Sequence, residues 1–297
     1  MLAQLFNLRG TFLLVELKAL TKAGDVEGFS SAMRKWEAVR SPGWPRVSLE
    51  EFVLWEGDVI PGKKVMLLHR VLITAAESGQ VDIAEILIKR YGCITCTPAV
   101  FAAFKREQWG ILKLFIKHGW NINSAVGGSN MYPVLKFVIK SEAKSRWCLD
   151  HGADPTLRTA ALDHSVASVS GGLAPLSVVK LFREYGIDYT KTDALHEAAW
   201  WGSRRPGRVE VMAYLIYEVG YPINQVEHDY LPDVRRMYAL NGLGTALHKA
   251  VKGECKETLK FLLENGADRG IADMCGNKPI DIAKEMGFKA GIRLLEQ

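Results

Sequence analysis

His228, Asp229 and Tyr230 place an imidazole, a carboxylate and a phenol in three consecutive positions. These are the groups of general acid–base chemistry when a pocket brings them to one reacting atom. Asp163 and His164 supply a second acid and base. Adjacent residues on a helix diverge by about 100°, so that pair is poorly placed to act together. If the chain is an enzyme, His164, His228, Asp229 and Tyr230 are the catalytic candidates. Trp200 and Trp201 would then form an apolar wall. A different chemistry is open to an overlapping set. Trp200, Trp201, Tyr230, Arg235, Arg236 and Tyr238 are of the types that dominate binding hot spots. Aspartates and glutamates interleave with these arginines, which argues against a nucleic-acid partner. No phosphate-cradling glycine loop, HExxH or GxSxG occurs, so no cofactor is expected. Cys93 and Cys96 form a CxxC without a second pair or a nearby His pair, so no metal is expected.

These residues must be held by the elements around them. The most regular stretch is 244–268, GTALHKAVKGECKETLKFLLENGAD. It reads as a helix capped by Thr245, a turn at Gly253 in the left-handed conformation, and a second apolar helix stopped by Gly266. One such pair cannot bury its own apolar face, so copies are needed on either side. Gly92, Gly119, Gly152, Gly186, Gly220 and Gly266 each close an apolar helical phrase, at spacings of 27, 33, 34, 34 and 46 residues. First-helix phrases recur too, with Leu162 33 residues before Leu195 and Leu247 33 before Ile280.

A period near 33 with a T-x-L-H-x-A start resembles the ankyrin repeat family, from about Leu67 to the end. The phrases TALHKA, LLENGAD and DALHEAA carry the resemblance best. It implies an all-α ankyrin-repeat solenoid of about seven to eight helix pairs with finger loops. It also implies that His196 and His248 are structural, tying backbone and the neighbouring threonine between turns. Asp193 and Lys278 stand where the motif has Thr. Residues 1–66 are expected to be divergent capping helices and a connector rich in Pro, Gly and Trp, including Trp44 and Trp55. Residues 67–297 form the solenoid. Against the 244–268 ruler, extra residues fall near 168–176, 203–208 and 225–242. The first two read as lengthened turns between helices and the third as a long finger. Such fingers followed by G-x-G-T-x-L-H also resemble irregular ankyrin proteins of filamentous fungi.

The chain has 297 residues, 48% hydrophobic and 24% charged, a globular composition. Its formal net charge of +5 is too small to indicate nucleic acid without a focused patch. Five scattered cysteines, an odd number, suggest a reducing compartment, and the cytoplasm or nucleus is expected. The apolar N-terminus has no basic residue ahead of it and reads as a helix rather than a signal peptide. No run of 18 apolar residues predicts a membrane span. The expectation is a monomeric scaffold presenting a concave surface and fingers to a protein partner. The alternative is a small-molecule-binding protein, an atypical enzyme with its acid–base pocket beneath the 225–242 finger.

Overall fold

The computed structural model describes residues 2–38, 67–93, 95–126, 132–157 and 165–297. The expected connector, with Trp44 and Trp55, lies outside the described residues, and so does His164. The described residues are helical, with only isolated β-bridges at Ala125–Pro133 and Val226–Thr245. None of their helices is long and apolar enough to cross a membrane.

The chain divides into two compact units. Unit one, Met1–Asn121, holds α1 (Leu2–Ala23), α2 (Val26–Ala38), α3 (Leu67–Ser78), α4 (Val81–Tyr91), α5 (Thr97–Lys105) and α6 (Trp109–Lys117). Helix α1 packs on α3 and α3 on α5. Helices α2, α4 and α6 form a second row. Leu17, Phe29, Met33, Leu72, Ile83, Leu87, Ile111 and Phe115 are fully buried between the rows.

Unit two, Ile122–Gln297, repeats this plan. Its first row is α7 (Val134–Val138), α9 (Val166–Leu173), α11 (Ala194–Trp201), α14 (Ala246–Lys252) and α16 (Pro279–Glu285). Its second row is α8 (Glu142–Asp150), α10 (Leu176–Glu184), α12 (Arg208–Ala213), α15 (Lys256–Glu264) and α17 (Lys289–Leu295). Among the described residues, α13 (Pro232–Met237), inside the 225–242 insertion, is an α-helix outside both rows. Short amphipathic helices of this length are marginal alone, so stacking in rows is what stabilises them.

The terminal glycines behave as their spacing predicts. Gly92, Gly119, Gly152, Gly186, Gly220 and Gly266 all have φ between 66° and 89°. A Cβ at any of the six would meet nothing within 4 Å. Backbone conformation, not crowding, is therefore what requires glycine there. Gly253 is a correction. Its φ is −83°, an ordinary right-handed value. The left-handed residue of that turn is Glu254, at φ 51°. Gly253 is needed for another reason: a Cβ there would stand 2.6 Å from the Trp200 carbonyl oxygen of the neighbouring helix.

The lengthened turns are also resolved differently. Residues 202–207 do separate α11 from α12, against 253–255 between α14 and α15. The extra turn expected near 168–176 is instead mostly helix α9. Ser165 caps it by accepting from the Ser168 amide at 3.1 Å. Only Ala174 and Pro175 separate it from α10. Gly171 and Gly172 mimic a turn in sequence. In the fold they allow close packing: a Cβ at Gly171 would fall 2.0 Å from the Ala194 carbonyl oxygen.

Candidate functional site

The 225–242 insertion starts from a β-bridge and ends in a helix. Val226 pairs with Thr245, and the Glu227 amide donates to the Gly244 carbonyl at 3.0 Å. His228 then turns the chain through the left-handed region at φ 56°. Pro232 starts α13, where its missing N–H costs nothing. Leu231 closes the intervening turn by donating to the His228 carbonyl at 2.8 Å.

Asp193 holds this turn. Its side chain is fully buried. Its Oδ1 accepts from the His228 amide at 2.9 Å, and its Oδ2 accepts from the Tyr230 hydroxyl at 2.8 Å. The His228 Nδ1 stands 2.8 Å from the same Oδ2. Burying a carboxylate is costly unless donors surround it, and the finger supplies them. Thr245 occupies the matching position one helix along the row. Its amide donates to the Nδ1 of His248 at 3.0 Å, within its own helix start. An aspartate at 193 instead grips the following finger.

The two motif histidines act as ties. The His196 Nε2–H donates to the Gln225 carbonyl at 2.9 Å, and that of His248 to the Asn277 carbonyl at 3.2 Å. Both reach 29 residues ahead. In His248 the Nδ1 accepts from Thr245, so the proton of the neutral ring lies on Nε2. Burial holds both imidazoles below their usual pKa. Both rings donate to backbone.

Glu227 forms the second anchor. It is buried and meets the Lys249 ammonium at 2.7 Å. Burial alone would raise its carboxyl pKa. The Lys249 ammonium outweighs that and holds it below the usual range. Lys252 closes the finger at its other end by donating to the Gly242 carbonyl at 2.7 Å.

The acid–base trio is thereby divided. His228 and Tyr230 are engaged on Asp193, whereas Asp229 is exposed and paired with Arg235. Arg236 lies on the exposed surface beside Asp233, at 3.6 Å. The Tyr238 ring centroid is 6.5 Å from that of His228. Near the tip, Met237 is 74% exposed and Leu240 93%. Sequence reasoning did not select Asp193, Glu227 or Lys249 as site residues. The signal for the first was its departure from the threonine of the motif. Glu227 and Lys249 had no such signal, because their pairing depends on how the finger folds back on α14.

Trp200 and Trp201 belong to a different group at the end of α11. Both are half-buried. The Arg204 guanidinium lies 6.0 Å from the Trp200 ring centroid and 5.9 Å from that of Trp201. Arg205 lies 5.9 Å from Trp201, and the Lys249 ammonium 5.4 Å from Trp200. The Trp201 indole N–H donates to Glu197 at 3.1 Å. Lys249 thus links the finger base to this aromatic pair. Among the described residues no cluster of His, Cys, Asp or Glu could hold a metal ion.

No curated protein matches the chain. The ankyrin repeat family model matches residues 244–274, the stretch that carries α14, α15 and the Thr245–His248 interaction, and this match supports reading the chain as an ankyrin repeat protein.

Proposed function

We propose that the protein is a non-catalytic scaffold that binds a protein partner, with the 225–242 finger as its specificity element. Ankyrin repeats generally serve as protein-interaction modules, and the match at 244–274 supports that class. The observation that carries the reading is the contrast within the finger. Its base is fixed by two buried acids, Asp193 and Glu227, while its tip exposes Arg236, Met237 and Leu240. A rigid base with a solvated apolar and cationic tip loses little entropy on binding. The alternative, an acid–base pocket beneath the finger, has weaker support. Its histidine and tyrosine are engaged on a fully buried carboxylate.

The test is quantitative affinity capture with the full chain and with a Met237→Asp/Leu240→Asp variant. Both residues are exposed, so the fold should tolerate the change. The reading expects a set of proteins captured by the parent and lost with the variant. An unchanged set, with a metabolite co-purifying instead, would overturn it.

A further inference from the structure

We propose that Trp200, Trp201, Arg204 and Arg205 form a second docking site, which takes an acidic segment of a partner protein. This rests on the scaffold reading and lies apart from the finger tip that reading uses.

The first argument is charge. Three cations surround the two indoles: Arg204, Arg205 and Lys249. Glu227 neutralises Lys249 at 2.7 Å. Among the described residues, neither Arg204 nor Arg205 has a carboxylate within ion-pair distance. Several other arginines of unit two are occupied. Arg235 and Arg236 meet Asp229 and Asp233, Arg146 meets Glu142, and Arg183 donates to the Glu218 carbonyl. Glu197, one turn before Trp201 on α11, accepts from the Trp201 indole N–H. Two guanidinium groups on one turn are left to be complemented from outside.

The second argument is preorganisation. The 202–207 turn is longer than its counterpart at 253–255, yet it is firmly held. The amides of Arg204 and Arg205 both donate to the Trp201 carbonyl, at 3.0 and 2.9 Å. The Ser203 hydroxyl donates to the Gly253 carbonyl at 3.3 Å. Gly202 sits so close to α15 that a Cβ would be 2.2 Å from Thr258. Arg208 fastens the far end, donating to the carbonyls of Gly171 and Ala174 at 2.6 Å each. The backbone that carries the two arginines is therefore fixed before any partner arrives, which lowers the entropic cost of binding.

The third argument is the kind of anion. Arginine and carboxylate match as planar forks, and a half-buried indole beside them accommodates an apolar neighbour on the same segment. The Trp200 indole N–H has no acceptor among the described residues and suits a carboxylate oxygen. Single-stranded nucleic acid also stacks on aromatic residues, but it needs a run of cations along its backbone. Here only two uncompensated cations stand together, with Glu197 against the edge of Trp201.

The experiment is fluorescence anisotropy of the full chain with a fluorescein-labelled peptide of alternating glutamate and leucine. The parent should bind it, and the same peptide with glutamine for glutamate should bind far more weakly. The Arg204→Glu/Arg205→Glu variant should weaken binding by roughly tenfold to a hundredfold. Lys256→Glu/Lys260→Glu, an equal charge change on the exposed face of α15, should leave it unchanged. If the double reversal shifts the melting transition, Arg204→Gln/Arg205→Gln serves in its place, with weakened binding again expected. Equal affinity in the arginine variants would overturn the site, as would equal binding of the glutamine peptide. Tighter binding of oligothymidylate than of the acidic peptide would overturn the partner class. Each of these failures leaves the finger reading untouched, because that rests on Met237 and Leu240.

Discussion

The Asp193 carboxylate and the His228 imidazole stand 2.8 Å apart, both buried, although 35 residues separate them. One belongs to the start of α11 and the other to the turn that opens the finger. The same carboxylate accepts the His228 amide on one oxygen and the Tyr230 hydroxyl on the other, so it holds two groups of the insertion at once. A threonine at this position has one side-chain oxygen and could not present acceptors at both sites.

Replacing Asp193 should therefore loosen the finger more than the stack. Asp193→Ala removes the acceptor of the buried His228 amide and the part-buried Tyr230 hydroxyl and should cost about 2–4 kcal/mol, the desolvation penalty of groups that lose their partner. Asp193→Asn keeps the shape and should cost less. Amide hydrogen exchange at His228 reads the local effect. Retained protection in Asp193→Ala would show that the bridge at Val226 alone holds the turn.

Two adjacent residues in the α14–α15 turn should respond in opposite directions to small-residue exchange. Glu254 holds φ 51° against the preference of an L-residue. Glu254→Gly should stabilise the protein by about 0.5–1 kcal/mol, the strain relieved less the added freedom of the unfolded chain. Gly253→Ala should destabilise by about 1–3 kcal/mol, because its Cβ meets the Trp200 carbonyl. Urea midpoints of both variants test the pair. Destabilisation by Glu254→Gly would show that the glutamate side chain contributes more than its backbone costs.

Arg208 offers a test of geometry over charge. Its guanidinium bridges two carbonyls of the neighbouring helix pair from a buried position. Arg208→Lys keeps the charge but cannot span both acceptors, and should cost about 1–3 kcal/mol. A melting temperature equal to that of the parent would mean that lysine and water replace the fork.

Acidification should weaken the fold from pH 6.5 downward. His196 and His248 have folded pKa values below 6.5, because burial disfavours the imidazolium. Below pH 6.5 the unfolded chain binds protons that the folded chain does not. Stability therefore falls with pH until the folded values are reached, by at most about 1.4 kcal/mol per pH unit per histidine. Glu227 adds to this lower down. Its folded pKa lies below 4.5, so the stability it contributes at neutral pH is lost as pH falls through that lower value. Denaturant midpoints at pH 7.5 and 5.5 should differ for the parent, and differ less for His248→Gln. An identical difference in the two proteins would exclude His248 as a source.

Much of this architecture was legible in the chain itself. The six terminal glycines mark helix ends because their requirement is local, a left-handed φ with empty space beside it. The TALHKA phrase marks a helix start because threonine, histidine and the apolar spacing act within one turn. The excess length of the turn between α11 and α12 followed from measuring against that regular copy. Other features depended on who becomes a neighbour in space. Gly171, Gly172 and Gly253 read as turn residues in sequence, but they are close-packing residues whose reason is a backbone or a ring on the next helix. His228, Asp229 and Tyr230 are consecutive in sequence, and only the left-handed turn at His228 sends two of them to Asp193 and the third to solvent. Local conformational preference is written residue by residue, so sequence determines it. Which buried carboxylate meets which donor is set by packing between elements far apart in the chain, and that was decided only when the rows stacked.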